Sequence, residues 1–113
     1  MRKHILKGTT VLSATALAAT TAGAETVCEQ LDRVSYILTQ TNSAGFAGEL
    51  VIERQDETSS NWHVLPISTM ALAADDEVYV IVEPNFKKIR PKIIVTGGTA
   101  DFEITVTAKT LGA

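Results

Sequence analysis

The 113-residue chain has one cysteine, two histidines and three prolines, and aromatic residues make up only 5% of it. A single cysteine excludes an internal disulfide framework and any zinc centre built on paired thiolates. Cys28 has no cation beside it in sequence, so it reads as a small buried hydrophobe, with a contact between copies as the alternative. His4 and His63 leave little for acid–base work, and no Gly-x-Ser-x-Gly elbow, phosphate loop, dinucleotide fingerprint or cofactor-attachment motif accompanies them. No stretch approaches the roughly 18 apolar residues of a membrane-spanning helix. With so few rings, Trp62 is expected to pack rather than to serve as a sugar-stacking platform. Asp75-Asp76-Glu77 lacks the loop glycine and terminal glutamate of a calcium loop, and consecutive side chains on a strand point apart, so it reads as a solvated turn. These absences lead to the expectation of a non-enzyme with no metal site and no cofactor.

What is present is a globular composition, 45% hydrophobic and 20% charged, at the length of one domain. Fifteen Thr, ten Val and nine Ile favour strands, because side chains branched at Cβ pack well on a pleated surface and crowd a helix. Alternation is clearest in Phe102–Ala108, where Phe102, Ile104, Val106 and Ala108 share one face. Arg33–Thr41 alternates with Val34, Tyr36 and Leu38 on one face and Ile37 out of place among the polar residues. Gly48–Arg54 sets Leu50 and Ile52 against Glu49 and Glu53. Val78–Val82 is apolar on both faces, the mark of a central strand or one covered by a neighbour. In Ile89–Val95, Pro91 points to an edge strand or a bulge. Ile67–Ala74 is the best helical window, enough for one turn. Turn-forming residues at Asn42-Ser43-Ala44-Gly45, Asp56–Asn61, Ala74-Asp75-Asp76, Glu83-Pro84-Asn85 and Gly97-Gly98 separate the runs every 8–12 residues. The expected fold is all-β: an antiparallel β-sandwich, jelly-roll or Ig-like, of about 7–8 strands. It occupies residues 9–113 behind a basic N-terminal arm, residues 1–8.

The net charge of −3 is unevenly laid out. Residues 1–24 carry Arg2, Lys3 and Lys7 without an acid. Residues 25–83 set eleven acids against Arg33 and Arg54, and residues 84–113 set Lys87, Lys88, Arg90, Lys92 and Lys109 against Asp101 and Glu103. Basic ends on an acidic middle suit attachment to other copies or to an acidic partner, or a solvated surface. The candidate partner-binding residues are therefore Arg2, Lys3 and Lys7 in the arm, and Lys87, Lys88, Arg90 and Lys92. The second cluster is short and carries no nucleic-acid-binding motif, so neither nucleic acid nor membrane is expected as a partner.

The N-terminus admits a second reading. Its basic start, the Val11–Ala19 stretch and Ala22-Gly23-Ala24 match the layout of a secretory leader whose mature chain begins at Glu25. Ser13, Thr15, Thr20 and Thr21 interrupt the apolar stretch, and Thr9–Thr15 suits a first strand equally well.

The segment Leu50–Leu65, a strand running through Asp56-Glu57-Thr58-Ser59-Ser60-Asn61-Trp62 into another, resembles a hairpin of small β-sandwich virion proteins of tailed bacteriophages. Ile89–Val95, Thr96-Gly97-Gly98-Thr99 and the final Ile104–Lys109 strand continue the resemblance, as does the Thr/Ala-rich opening, so it covers most of the chain. Glu57 departs from the pattern, which often has glycine there. The resemblance implies a non-enzymatic head decoration, or cement, subunit on the capsid surface. Its partners would be the major capsid protein and its own copies, a homo-oligomer with a trimer among the options. A neck or tail component, or an exported periplasmic or extracellular binding module with a cleaved leader, are the alternatives.

Overall fold

The computed structural model describes the backbone of residues 2–29, 31–66, 69–83 and 86–111, with side chains for those between 8 and 109. Eight strands occur among these residues: β1 (Arg2–Leu17), β2 (Thr21–Ala22), β3 (Thr26–Val27), β4 (Arg33–Gln55), β5 (Trp62–Val64), β6 (Met70–Leu72), β7 (Asp76–Val82) and β8 (Lys88–Leu111). All pairings are antiparallel and none of the described residues is in an α-helix. The fold is the expected all-β sandwich.

Two strands dominate. β4 has 23 residues and β8 has 24. At about 3.3 Å per residue a straight β4 would run roughly 76 Å, yet the longest dimension of the molecule is 47 Å. Both strands therefore bend and pass from one layer to the other. The bend falls where the register slips, between Thr41 and Ala44, Ala44 and Ala47, and Ala47 and Gly48. Asn42, Gly45 and Gly98 take left-handed backbone there, with φ of 51°, 63° and 67°. A side chain on Gly98 would also collide with the Gly45 carbonyl, so only glycine fits. Asn42–Gly45 and Gly97-Gly98, expected as turns between separate strands, are thus bulges inside continuous ones. The turn-forming residues do bend the chain, but the ladder survives, because β4 and β8 bend together.

The first layer has the order β1, second half of β8, first half of β4, β7. The second has β2 and β3, first half of β8, second half of β4, then β5 and β6. Between them lie Leu12, Val34, Tyr36, Leu38, Phe102, Ile104 and Val106 from one side and Leu50, Ile52, Ile89 and Ile93 from the other. The buried residues Leu38, Leu50, Ile52 and Ile104 each contribute on the order of 1.5–3 kcal/mol by leaving water. Tyr36 crosses the layers to donate its hydroxyl proton to Thr26 Oγ1 at 3.1 Å. Phe46, at the bend, meets Phe102 edge to face with centroids 5.0 Å apart.

Four local expectations change. Residues 2–8, expected as an arm, have strand backbone: Arg2 pairs with Leu111 and the ladder continues through β1, with Leu12 in the core. β7 is the outermost strand of its layer, not a central one. Pro91 sits in an inner strand, opposite Ile52. Its missing N–H does little harm because it faces the gap between β2 and β3, where Gly23 N donates to the Pro91 carbonyl instead. The Ile67–Ala74 window holds the short strand β6, while Ile67 and Ser68 lie outside the described residues.

Candidate interaction surfaces

The cationic cluster lies on the outer face of the second layer, because Ile89, Pro91 and Ile93 turn inward and their neighbours outward. Register sets Arg90 opposite Glu53 and Lys92 opposite Val51. Arg90 Nε lies 2.9 Å from Glu53 Oε1, and Lys92 Nζ lies 3.5 Å from Oε2 of the same carboxylate. The Arg90 guanidinium also stacks 4.2 Å from the centre of the Trp62 ring, a cation–π contact. Beneath this lid Val51 is 1% exposed and Glu53 4%, so the centre of the outer face is closed, while Val64, opposite Glu53, and Val27, opposite Lys88, stay exposed at its margins. Lys88 Nζ pairs with Glu25 at 3.0 Å. Three of the four candidates in this cluster are therefore engaged within the fold, and Lys87 is exposed. The side chains of Arg2, Lys3 and Lys7 lie outside the described residues. Sequence reasoning missed Glu53. Its place on the polar face of an alternating strand gave no sign that a cationic ladder would cover it.

The β4–β5 loop gathers His63, Ser59 and Arg54 around Asp56. His63 Nε2 is 3.0 Å from Asp56 Oδ1, Ser59 Oγ donates to Oδ2 at 3.0 Å, and Asp56 N closes the loop onto the Asn61 carbonyl at 2.9 Å. His63, with help from Ser59, holds the Asp56 carboxyl below its usual range. Histidine and serine both address the carboxylate, not each other, so the group builds a turn rather than a nucleophile with its base. Cys28 is 3% exposed, and burial pushes its thiol up to about 11, so it is neutral and shielded at physiological pH.

The outer face of the first layer is different. β7 pairs with β4 so that Tyr79 lies opposite Ile37 and Ile81 opposite Ser35, all pointing outward. Tyr79 is 67% exposed, Ile81 52% and Ile37 40%. One end of this face carries Glu77 and Glu103 on either side of Thr39, and the other carries Arg33 beside Lys109. At the acidic end an open depression of about 290 Å³ is lined by Ser13, Thr15, Thr39, Thr41, Asp101 and Glu103.

No protein-family model and no curated protein matches this chain. Its own geometry is what bears on function.

Proposed function

We propose that this chain is a non-enzymatic structural subunit of a tailed-phage virion, a decoration or cement protein that binds the major capsid lattice and stabilises the head. The observation carrying the reading is the uncovered apolar row of Ile37, Tyr79 and Ile81 on a rigid, well-packed sheet. Large exposed apolar side chains gathered on one face mark an association surface. The assignment to a virion comes from the resemblance of Leu50–Leu65 and the strands after it to phage β-sandwich proteins. Arg2, Lys3, Lys7 and Lys87 are the cations assigned to an acidic partner surface, since Lys88, Arg90 and Lys92 have partners of their own.

The test is co-sedimentation of the purified protein with phage heads that lack it. Saturation at hundreds of copies per head supports decoration, whereas about a dozen moves the protein to a neck or tail ring. Changing Arg2, Lys3 and Lys7 together to Glu weakens attachment. Heads that pellet without the protein sink the proposal. Intact mass of the native protein addresses the exported alternative: a chain starting at Glu25 supports it, although that form would lack β1 and its core residue Leu12.

A further inference from the structure

We infer that the outer face of the first layer is a self-association surface, on which a second copy of this chain packs face to face with its strands reversed. The inference uses the same apolar row that carries the virion reading and assigns it to a second copy, but it is tested on free molecules in solution, apart from any head.

One strand departs from the pattern of its kind. An edge strand with one face on the core is expected to alternate apolar and polar residues. β7 instead turns Val78, Val80 and Val82 toward the interior and Tyr79 and Ile81 toward solvent. Ile37, the one outward apolar residue of the first half of β4, stands directly beside Tyr79. Two strands far apart in sequence thus deliver their misplaced apolar residues to one spot.

Charge then selects the occupant and its direction. Along the outward face the rows run from Glu77–Thr39–Glu103, through Tyr79–Ile37–Thr105 and Ile81–Ser35–Thr107, to Arg33–Lys109. A two-fold axis in the plane of the interface, perpendicular to the strands at the level of Tyr36, lays each row over its opposite. Tyr79 meets Ile81 of the copy, Lys109 of the copy meets Glu103, and Arg33 of the copy falls between Glu77 and Glu103. The acidic depression beside Glu103 receives these basic side chains. Turning the axis parallel to the strands would set carboxylates on carboxylates. Glu83, exposed just past the end of β7, offsets part of the attraction, so the apolar centre supplies most of the affinity and the charges fix orientation. Edge-to-edge pairing of β7 about Val80 is disfavoured, since it would oppose Glu77 to Glu83 of the copy.

Size sets the expected strength. Four strands at about 4.8 Å spacing and seven residues at about 3.4 Å give a footprint of roughly 450 Å² per copy. That is below the roughly 800 Å² per partner of stable complexes, so the dimer is a weak one, dissociating in the micromolar range.

Sedimentation equilibrium on the full chain at low salt tests this. The native protein is expected to dimerise reversibly, and Tyr79→Glu to weaken the dimer at least about tenfold. Tyr79 is 67% exposed, so circular dichroism and the melting temperature of that variant should match the native chain. Lys109→Glu and Glu103→Lys each weaken association, and the double exchange restores it. A native chain that stays monomeric to about 500 µM, or a Tyr79→Glu variant that dimerises as before, overturns the proposal. A double exchange that fails to restore the dimer overturns its orientation. None of these results depends on binding to heads, so the two proposals fail separately.

Discussion

The two layers are made from halves of the same two strands, yet they finish their outer faces in opposite ways. In the second layer, Glu53, Arg90, Lys92 and Trp62 interlock above Val51 and cover the centre of the face, leaving Val64 and Val27 exposed singly at its margins. In the first, Ile37, Tyr79 and Ile81 stand in water. The strand sequences explain the contrast. Arg90 and Lys92 are long enough to reach across to Glu53 while laying their aliphatic stems over the sheet. The corresponding outward positions of the first layer carry Ser35, Thr105 and Thr107, too short to cover the aromatic and branched residues beside them. A sandwich that covers the centre of one face and gathers adjacent apolar residues on the other has a preferred side for contact.

The contrast is broken most directly at Glu53. Its side chain is 6% exposed and holds two cations that are themselves 25% and 29% exposed. Glu53→Ala leaves Arg90 and Lys92 without their anion in a half-dry site, at a cost of about 3 kcal/mol, the low end for a buried pair because the cations keep some water. The matching change on the open face, Glu103→Ala, should stay within about 0.5 kcal/mol in the isolated chain. Urea denaturation of both variants at low protein concentration checks the pair. Equal effects would mean the second face is no more closed than the first.

A smaller effect sharpens what joins the layers. Tyr36→Phe removes the hydroxyl that donates to Thr26 Oγ1 across the core and leaves that buried oxygen short of a partner, for a loss of about 1–1.5 kcal/mol. Cys28, close to this contact, supplies a reporter. Its neutral, buried thiol should react with a thiol reagent at pH 8 at least about a hundredfold more slowly than a free cysteine, and regain full reactivity on unfolding. Rapid labelling of the folded chain would show that the layers separate readily.

Much of the fold was legible because alternation is a local signal. Val34, Tyr36, Leu38, Phe102, Ile104, Val106 and Ala108 all face the core as their period of two requires. The bends were visible as turn chemistry, but whether a strand ends or merely bends is decided by its neighbour, and composition carries no record of the neighbour. The same holds for Val78–Val82: its apolar faces were plain, while its position at the edge depends on β6 and β5 pairing with the other half of β4. The cations Lys88, Arg90 and Lys92 were found as a cluster, but their occupation by Glu25 and Glu53 rests on residues 35 or more positions away. Charge in sequence counts groups; only pairing shows which remain for a partner.

The smallest effect is expected at the bend, where both layers depend on exposed carboxylates. Asp101 accepts from Asn42 Nδ2 and from Ala16 N, each at 2.8 Å, and Asp75 accepts from Ser43 N at 2.9 Å. These bonds steady Ala16 and Asn42, whose left-handed backbone is unfavourable for residues with a Cβ. The Asn42 amide, more than any other group, holds the Asp101 carboxyl below its ordinary value of 3.8, and Ser43 does the same for Asp75. A carboxyl whose value is lowered in the folded state adds stability that is fully present above the unfolded value and is lost as pH falls through the folded one. The bend should therefore hold from neutrality down to the usual carboxylate range and loosen only below it. Amide resonances of Ala16 and Ser43 followed by NMR through an acid titration report this directly. Both should move together with midpoints under 3.8. Midpoints at or above the ordinary value would show that the carboxylates do not hold the bend and that Gly45 and Gly98 alone let the strands cross between layers.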